Sequence, residues 1–568
     1  MADMSRQVDT DNDNKEVKKE NEEKTCFMCG RLATLACSGC GEVWFCCAEH
    51  GKLHFREEEG NCFPWKVAEK DGVGRILVTT RSVRAGETLF MEEPLVHGPN
   101  QDGWGDSQHS PACLSCYSPV TMDYLCPGCG YPMCGEECAG HPHHQEECSV
   151  LSAGHKPVCG STVTEAYHCI LPLRMLLLAR SDPDRFNLTD HLMDHEEERK
   201  GDKDWLITER TVVQKLMQIC DAEVMRDLTA ADIRRAIGVL EVNSFEVSDE
   251  LRGCFPISSL LSHSCVPNSC HIWTLDAPYT NTCIAAVDLQ AGQELLTTYQ
   301  IPSTCSLRRR PNLKTGWYFD CTCERCSSLS ELGTNMNTLV CPGCKKPSML
   351  PQNPLQSGSV WRCFCGHKVS EKVAISVVAN IIKDTNNVIK KQKHNVNAWL
   401  KLEKSALKLV HPQHEVMLEI AKWMLPILCR GPNQPTSKFP PSKVQKKLDL
   451  AKRYFSVLSV VEPGYSKPRV KALYEIIETE LFLMFFKVPK IGGMKDNLIK
   501  KMDQLNMVIE VLERLGTNKG FETILVHASK NILVRIEDIL SQMEKNSLNL
   551  NEWREGWSLI ELWKGAEN

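Results

Sequence analysis

The sequence has no long hydrophobic run. Nowhere among its 568 residues do 18 consecutive apolar residues occur, which is about the length that a membrane-spanning helix requires. The first 24 residues are polar and charged, and they lack the apolar stretch of a secretory signal. We therefore expect a disordered tail over residues 1–24 and no association with a membrane.

An excess of positive charge is also missing. Lysine and arginine number 66 against 72 acidic residues, which gives a net charge of −6. A protein that coats nucleic acid through its overall field carries a basic surface instead, so this composition argues against direct binding of nucleic acid. The chain is too long for a single hydrophobic core, and its length predicts three or more folded units.

Cysteine, in contrast, is abundant. The chain holds 30 cysteines without a secretory signal, and in a reducing compartment closely spaced cysteines bind metal more often than they form disulfides. Two blocks near the N-terminus repeat one spacing. The first block is Cys26, Cys29, Cys37, Cys40, Cys46, His50, His54 and Cys62, and the second is Cys113, Cys116, Cys126, Cys129, Cys134, Cys138, His144 and Cys148. Each block supplies eight ligands, enough for two tetrahedral zinc ions in a segment too short to build its own core.

Two further cysteine groups follow. The segment FDCTCERC supplies three thiolates, Cys321, Cys323 and Cys326. A closed structural zinc site needs four ligands, so the fourth has to come from a distant part of the chain. A second group is similar to a zinc ribbon and consists of Cys341, Cys344, Cys363 and Cys365. Its last ligand stays open, because His367 lies close to Cys365 in the sequence.

Two regions, residues 64–112 and 256–300, have the pattern of β-structure. The stretch VGRILVTTRSVRAGETLFMEEPLV alternates apolar and polar residues around the turn signal Ala85-Gly86, which predicts a β-hairpin. The later region contains VDLQAGQELLTTY, with the same turn signal between two strand-like runs. It also contains SLLSHSCVPN, which includes Cys265.

The remaining regions have helical patterns. Between residues 149 and 255, Thr229 and Asp232 fit a helix N-cap with a carboxylate three residues on. The apolar residues that follow, Ile233, Ala236, Ile237 and Leu240, fall on one helical face. From residue 371 to 568 long amphipathic runs are interrupted only around residues 431–442 and 462–468, which predicts a stack or bundle of helices.

Taken together, these motifs resemble the SET and MYND domain (SMYD) family. The match in the N-terminal half is carried by Gly74-Arg75, Arg81, Gly86-Glu87 and Glu93-Pro94, and in the C-terminal half by Asn243-Ser244-Phe245, His263-Ser264-Cys265, Pro267-Asn268, Gly292, Glu294 and Tyr299. It covers residues 25–370. The additional N-terminal finger and the continuation ELGTNMNTLVCPGC are most similar to the arthropod branch of the family.

The resemblance implies an α+β multidomain fold, in which a SET β-fold is split by a MYND zinc finger. The implied parts are a tail (1–24), an N-terminal MYND-type finger (25–63), the SET N-terminal half (64–112), an inserted MYND-type finger (113–148), a helical SET insertion (149–255), the SET C-terminal half (256–305), a post-SET and zinc-ribbon-like region (306–370) and an all-α domain similar to tetratricopeptide repeats (371–568).

The resemblance also implies how the zinc ligands are shared. In a MYND finger the first and third ligand pairs hold one ion, and the second and fourth hold the other. In the first finger one ion therefore has Cys26, Cys29, Cys46 and His50, and the other has Cys37, Cys40, Cys62 and one more ligand, His54 or Glu58. Cys265 becomes the distant fourth thiolate for Cys321, Cys323 and Cys326. The alternative, a nucleophilic Cys265, needs a base, and we expect His263 to point away from that thiol.

For function the resemblance implies a protein-lysine N-methyltransferase that uses S-adenosylmethionine. Tyr299 is the implied catalytic tyrosine beside the methyl-transfer channel. The implied cofactor contacts are Gly74, Arg75, Asn243, Leu261, Ser262, His263, Tyr299 and Phe319. The implied partners are protein substrates, histone or non-histone, and proteins that bind MYND fingers, for a monomer in the nucleus, the cytoplasm or both, with a role in transcription or chromatin regulation.

Three positions depart from the family pattern. Ile76 stands where a glycine is common near the cofactor, Ser262 replaces an asparagine, and Trp317 replaces the second channel tyrosine while Tyr318 is one residue out of register. These departures leave a second hypothesis open, a zinc-stabilised scaffold for protein interactions, acting in transcriptional repression, whose SET domain has weak or no activity. Direct DNA binding is a third hypothesis, which the absence of a dense Lys/Arg stripe in the fingers opposes.

Overall fold

The structure is a computed structural model that describes residues 24–28, 31–56, 60–100, 111–153, 166–219, 228–429, 440–486, 493–516, 520–545 and 547–548. The chain divides into two compact units, residues 1–62 and residues 63–568. In the described part of the chain no helix is both long and apolar enough to cross a bilayer. The predicted tail over residues 1–24 lies almost wholly outside the described residues.

The first unit consists of short elements around clustered cysteines. Its strands form two antiparallel pairs, Leu35–Ala36 with Trp44–Phe45 and Phe55–Arg56 with Asn61–Cys62. One short helix, Ala48–Lys52, connects the two pairs and carries the buried His50. Elements of two to five residues bury little apolar surface, so this unit depends on its metal ligands for stability.

The second unit contains a set of small β-sheets and many helices. Its strands before residue 300 are Trp65–Lys70, Gly74–Thr79, Thr88–Glu92, Val96–Pro99, Ser244–Glu246, Leu251–Cys254, Ser262–His263, Ser269–Trp273, Asn281–Ala285 and Leu296–Thr297. A second group of four strands forms the ribbon region, Leu339–Val340, Pro347–Pro351, Trp361–Arg362 and Lys368–Val369, paired in that order. The mixture of helices and strands is the α+β fold that the sequence predicts.

The predicted hairpin around Ala85-Gly86 is wrong in its pairing. Gly86 does make a turn with φ of +83°, but strand Gly74–Thr79 pairs with Trp65–Lys70, and strand Thr88–Glu92 pairs with Asn281–Ala285. The regions around the two Ala-Gly turn signals are connected to each other instead, through bridges between Val83 and Leu289 and between Val78 and Glu294. The turn signal therefore predicts the reversal of the chain at Gly86, but it does not predict which strands the two flanking strands pair with.

The chain that connects the two halves of the β-fold leaves and returns at one sheet. Strand Val96–Pro99 pairs with Leu251–Cys254, with Pro99 opposite Leu251, and Leu251–Cys254 also pairs with Ser244–Glu246. The last two strands lie inside the range 149–255, for which the sequence predicts helices, so the helical segment is shorter than expected. Its helical elements are Ile170–Ser181, Pro183–Phe186, Asn187–Thr189, Glu196–Arg199, Trp205–Thr208, Glu209–Val213, Gln214–Ile219 and Ala230–Asn243.

The predicted N-cap at Thr229 is confirmed. Helix Ala230–Asn243 begins with a full capping box, in which the Thr229 hydroxyl accepts from the Asp232 amide and the Asp232 carboxylate accepts from the Thr229 amide. The predicted apolar face, Ile233, Ala236, Ile237 and Leu240, is buried. This helix ends at Asn243, directly before strand Ser244–Glu246.

The C-terminal region is helical, as predicted. Its helices are Glu371–Gln392, Val396–Ala406, Glu415–Met424, Pro441–Val461, Lys467–Phe486, Met494–Arg514 and Phe521–Glu544. The predicted interruption at 462–468 lies mostly between helices Pro441–Val461 and Lys467–Phe486, and most of the predicted interruption at 431–442 lies outside the described residues. Successive helices pack against each other, and their apolar core is continuous with Ile284 of the β-fold and with Met336 beyond it. The tetratricopeptide-like character of this stack stays a prediction.

The helical region touches the β-fold at the Gly86 turn. The ring of Tyr465 lies where a Cβ atom on Gly86 would stand, and the Tyr465 amide donates to the Ala286 carbonyl at 2.9 Å. Arg514 donates to the Gly86 carbonyl, also at 2.9 Å. Glycine is therefore required at position 86 for two reasons, a positive φ and the close approach of a tyrosine.

Gly86→Ala tests this contact, with Gly292→Ala as the matched control. Both glycines have positive φ, so both variants carry strain of about 1 kcal/mol. Open space surrounds the Cβ position of Gly292, so only Gly86→Ala adds steric overlap, which costs about 1–3 kcal/mol more. We expect a larger fall in the melting temperature for Gly86→Ala. Equal falls would show that Tyr465 moves aside without cost.

Candidate functional site

Four cysteines from two distant segments meet behind the β-fold. The sulfur atoms of Cys265, Cys321, Cys323 and Cys326 all lie within 4.8 Å of one another. The Cys265 sulfur is 3.8 Å from that of Cys321 and 3.5 Å from that of Cys326. Four sulfurs placed about 2.3 Å from one zinc ion stand about 3.8 Å apart. The four side chains therefore fit a closed zinc site.

A buried arginine lies against this sulfur cluster. Arg309 is fully buried, and its guanidinium donates to the Cys265 sulfur at 2.9 Å and to the Cys326 sulfur at 3.4 Å. Zinc with four thiolates carries a net charge of −2, which is costly to bury without a nearby cation. Arg309 supplies that cation and orients the thiolates. Sequence reasoning missed this residue.

Arg309 is itself held by a second buried arginine and a glutamate. The Glu331 carboxylate pairs with Arg309 at 3.1 Å and with Arg325 at 2.9 Å, and all three side chains are buried. Arg325 also donates to the Cys265 carbonyl at 3.0 Å. Burial works against ionisation of Glu331, but the two guanidinium groups hold its pKa below the usual value. The cluster is thus fully paired, which is the condition under which buried charges are tolerated.

The second finger forms two separate four-ligand groups. One group is Cys113, Cys116, Cys134 and Cys138, and the other is Cys126, Cys129, His144 and Cys148. The alternating use of ligand pairs is the arrangement that the resemblance implied. In the second group the His144 Nδ1 faces the Glu147 carboxylate at 2.9 Å, an outer-shell contact that fixes the orientation of a ligating histidine.

The same glutamate ties this finger to the β-fold. The Arg174 guanidinium donates to both Glu147 oxygens, at 2.6 and 2.8 Å. It also donates to the His97 carbonyl at 2.7 Å and to the Tyr117 hydroxyl at 2.6 Å. Arg174 belongs to helix Ile170–Ser181, so one side chain joins the finger, a strand of the sheet and the helical insertion.

The first finger has comparable groups. Cys37, Cys40, His54 and Cys62 form one four-ligand cluster. His54 therefore lies where the fourth ligand of this ion was left open in the sequence, and the alternative ligand, Glu58, lies outside the described residues. Cys26 and Cys46 both lie within 3.3 Å of His50 Nδ1, and their predicted partner Cys29 lies outside the described residues. The ribbon cluster is Cys341, Cys344, Cys363 and Cys365, so Cys365, rather than His367, completes its four ligands.

Tyr299, the predicted catalytic residue, lies beside the Cys265 cluster. Its ring and those of Trp317 and Phe319 form what we call the aromatic pocket. The Tyr299 hydroxyl donates to the Leu261 carbonyl at 2.7 Å. Its ring lies 5.3 Å from that of Trp317 and 6.4 Å from that of Phe319. Burial raises the pKa of Tyr299 well above its usual value, so the hydroxyl keeps its proton and remains a donor to Leu261.

Trp317, and not Tyr318, stands next to Tyr299. The Trp317 indole N–H donates to the Val242 carbonyl at 3.1 Å. Tyr318 has a left-handed backbone with φ of +59°, and its hydroxyl donates to Asp202 at 2.5 Å. The second tyrosine is therefore turned toward the helical insertion. The pocket has one hydroxyl group where the family pattern supplies two.

His263 connects the sulfur cluster to Tyr299, which corrects one expectation. The His263 Nδ1 accepts from the Tyr299 amide at 3.0 Å, so its Nε2–H faces the Cys265 sulfur at 3.3 Å. The expectation that His263 points away from Cys265 is wrong, because residues two apart on an extended chain share a face. The contact adds a donor to the thiolate, since burial lowers the pKa of His263 to about 4 and keeps it neutral.

The predicted cofactor residues gather around one short turn. The 3-10 turn Ser258–Leu260 precedes Leu261, Ser262 and His263. Strand Gly74–Thr79, which begins with Gly74 and Arg75, packs beside this turn. The Ser259 hydroxyl donates to the Asn243 carbonyl at 3.0 Å. Phe319 lies 5.8 Å from the His263 ring.

The side chains at this turn fit part of the implied cofactor contacts. Open space surrounds the Cβ position of Gly74, and the aromatic face of Phe319 suits a flat ring. Ile76 is buried in the interior. The Asn243 amide N–H groups donate to the carbonyls of Met193 and Val239, at 2.8 and 2.9 Å, so only its carbonyl oxygen is left to contact a ligand.

Comparison with known proteins places a SET domain over this site. The SET domain family model matches residues 74–300, a range that contains the turn, Tyr299 and Cys265. The chain is 28% identical over 329 residues to the SET domain-containing protein SmydA-8, isoform A, of Drosophila melanogaster, covering 54% of this chain and 65% of that protein. It is 24% identical over 275 residues to the N-lysine methyltransferase SMYD2-B of Xenopus laevis, covering 46% of this chain and 60% of that protein.

The matches leave part of each relative uncovered. The chain spans slightly less than two thirds of the length of these curated relatives. Among solved structures, the SET domain of LSMT bound to lysine and AdoHcy matches with a TM-score of 0.29 and 11% identity, over 89% of this chain and 91% of that one. A superposition this loose carries no argument about function.

Cys265→Ser tests the convergence of the four thiolates. We expect the purified variant to contain one zinc ion fewer per chain than the parent, by elemental analysis, because a three-ligand site does not close. Cys254→Ser is the matched control, since Cys254 is a buried cysteine outside the metal clusters. Unchanged zinc content in Cys265→Ser would contradict the assignment.

Proposed function

We propose that this chain is a SET-domain protein of the SMYD family and that it transfers a methyl group from S-adenosylmethionine to the amine of protein lysine side chains. The observation that carries this proposal is the pocket in which the Tyr299 hydroxyl meets the Leu261 carbonyl between Trp317 and Phe319. Tyr299 and Leu261 lie inside the range 74–300 that matches the SET domain, and Trp317 and Phe319 follow that range in the chain. The name of the Xenopus laevis relative, an N-lysine methyltransferase, supports the reaction class.

The pocket residues have three tasks in this proposal. The aromatic rings exclude water from a lysine chain, and removal of water lowers the pKa of the amine from its usual value near 10.4, so that more of it is neutral. The oxygens of Tyr299 and Leu261 orient the amine. Gly74, Arg75, Asn243, Leu261, Ser262, His263 and Phe319 are the residues that would hold the cofactor. When bound, S-adenosylmethionine supplies an electrophilic methyl group on a positively charged sulfur.

The second candidate is a zinc-stabilised scaffold for protein interactions with weak or no transferase activity. Two observations favour it. Trp317 offers no hydroxyl beside Tyr299 and its N–H is already used by Val242. Both donors of the Asn243 amide are used by backbone carbonyls, and Ser262 is shorter than the asparagine of the family pattern, so two side-chain contacts to the cofactor are weakened.

The biological setting is proposed on the resemblance alone. A protein of this kind acts on histone or non-histone proteins, recruits partners through its MYND-type fingers and contributes to transcription or chromatin regulation. It works as a monomer in the nucleus, the cytoplasm or both. In the scaffold alternative the same fingers act in transcriptional repression.

Binding of S-adenosylmethionine to the zinc-loaded protein separates the two candidates. Calorimetry is expected to show binding in the micromolar range, and Ser262→Asn is expected to strengthen it about 10- to 100-fold, because a hydrogen bond from the longer side chain is worth roughly 1–3 kcal/mol. No binding by either protein at high micromolar concentration would remove the transferase proposal and leave the scaffold.

Tyr299→Phe tests the reacting pocket. With radiolabelled S-adenosylmethionine and a cell lysate as substrate, we expect methyl transfer to fall about 10- to 100-fold, since one hydrogen bond to Leu261 is lost. Tyr318→Phe is the matched control, because the Tyr318 hydroxyl donates to Asp202 in an exposed hydrogen bond, and the activity of this variant should match that of the parent. Equal loss in both variants would place the reaction elsewhere.

A further inference from the structure

One buried carboxylate faces the turn that carries the predicted site. Glu92 is the last residue of strand Thr88–Glu92 and is only 4% exposed. Its carboxylate accepts three hydrogen bonds, from the Ile257 amide at 2.9 Å, the Ser258 amide at 2.7 Å and the Ser258 hydroxyl at 2.5 Å. Within the described part of the chain it forms no ion pair. It is held by donors from one short segment alone.

That segment ends at the carbonyl that meets Tyr299. Ile257 is the N-cap of the 3-10 turn Ser258–Leu260, and Leu261, the residue after the turn, accepts from the Tyr299 hydroxyl at 2.7 Å. The first amides of such a turn have no partner within it, so an external acceptor decides whether the turn forms. Glu92 supplies that acceptor and thereby fixes where the Leu261 carbonyl points.

A chain of hydrogen-bonded side chains connects the Ser258 hydroxyl, which Glu92 binds, to strand Leu296–Thr297, which precedes Tyr299. The Asn281 amide donates to the Ser258 hydroxyl oxygen at 2.7 Å and faces His271 Nδ1 at 3.0 Å. The His271 Nε2 lies 3.0 Å from the Thr297 hydroxyl, and strand Leu296–Thr297 pairs with Ser262–His263. Both strands beside the pocket are therefore connected to the Glu92 carboxylate.

We propose that Glu92 is a positioning residue for methyl transfer: its ionised carboxylate holds the Ser258–Leu261 turn so that the Leu261 carbonyl meets the Tyr299 hydroxyl, and protonation of that carboxylate loosens the turn. The inference rests on the proposed function for its catalytic consequence. Its structural part, the hold on the turn, does not depend on that function. Glu92 acts through Leu261 and touches neither lysine nor cofactor.

The chemistry of the surroundings makes this carboxylate sensitive to pH near neutrality. Burial raises the pKa of Glu92 to about 7, although the hydrogen bonds from Ser258 and Ile257 oppose the shift. The titratable groups that face it are the Cys254 and Cys283 thiols, and burial raises both of their pKa values. His271, in the chain of hydrogen-bonded side chains, has its pKa lowered by burial to about 4. Glu92 is thus the group of this set that changes charge between pH 6 and 8.

The direction of the stability effect follows from this pKa. Between pH 4.5, the usual value, and about 7 the folded protein retains a proton that an unfolded Glu92 has released. For complete unfolding, which exposes Glu92 to water, the contribution of Glu92 to stability therefore falls as the pH rises through this window. Loosening of the turn alone has the opposite sign, because Glu92 stays buried there and loses only the donors from Ile257 and Ser258 that lower its pKa. The ionised carboxylate of Glu92 is less stable in the folded protein than in water, because it is buried. The three hydrogen bonds from Ile257 and Ser258 offset part of that cost.

Hydrogen exchange in Glu92→Gln tests the hold on the turn without any measurement of activity. The amides of residues 258–263 are expected to exchange about 10-fold faster than in the parent at pH 8, where the parent carboxylate is ionised. At pH 6 the two proteins should exchange at similar rates. Glu93→Gln is the matched control, because Glu93 is the adjacent residue and is exposed, and it should behave as the parent. A ratio independent of pH would overturn the inference.

Methyl transfer measured on the same proteins tests the catalytic part. We expect kcat of Glu92→Gln to be about 10-fold below that of the parent at pH 8 and to approach it at pH 6, with little change in the KM for protein substrate. An active parent with a constant ratio would overturn the inference and leave the proposed function intact. A parent inactive at every pH would overturn the proposed function, while hydrogen exchange still decides the hold on the turn.

Ser258→Ala serves if Glu92→Gln does not fold. It removes one of three donors from the carboxylate, so the pH at which the amides of residues 258–263 lose protection should move to a higher value. A purely structural role for Ser258 would speed exchange equally at all pH values. That result would count against titration of Glu92.

Discussion

The structure around the candidate site depends on the contact of Cys265 with three thiolates, the first of which lies 56 residues later in the chain. Four thiolates do not gather in a protein interior by themselves, because their charges repel and burial penalises each one. A zinc ion with the buried Arg309 resolves that conflict. His263 lies between the Cys265 sulfur and the Tyr299 amide, so the metal cluster and the aromatic pocket share one side chain. The metal cluster therefore helps to hold Tyr299 in place, because it contacts His263.

The metal ligands could be predicted from the sequence because their chemistry leaves a local signature. Pairs such as Cys126 and Cys129 are spaced to bind one ion, and the spacing holds whatever the rest of the chain does. The capping box at Thr229 is equally local. The strand partners could not be predicted in this way. A turn signal at Ala85-Gly86 specifies a reversal of the chain, but pairing is decided by segments about 200 residues away.

Buried charges were the other feature that the sequence did not reveal. Arg308, Arg309 and Arg310 are consecutive and look equivalent, yet Arg309 alone is fully enclosed against the sulfur cluster. All three belong to helix Ser306–Trp317, in which successive residues are rotated by about 100°, and contacts with distant segments decide which of them faces inward. Glu92 did leave a weak trace, because it lies two residues after the buried Phe90 and so falls on the inner face of its strand.

The pairing of Pro99 with Leu251 has a consequence for the history of this chain. The chain between those two residues leaves the sheet at Pro99 and re-enters it at Leu251, which lies on the neighbouring strand opposite Pro99. The finger and the helices in this excursion form, in effect, a cassette whose two ends are already side by side. Lengthening or replacing such a cassette adds little loop-closure entropy. New recognition surfaces can be acquired there while the register of the flanking strands stays as it is.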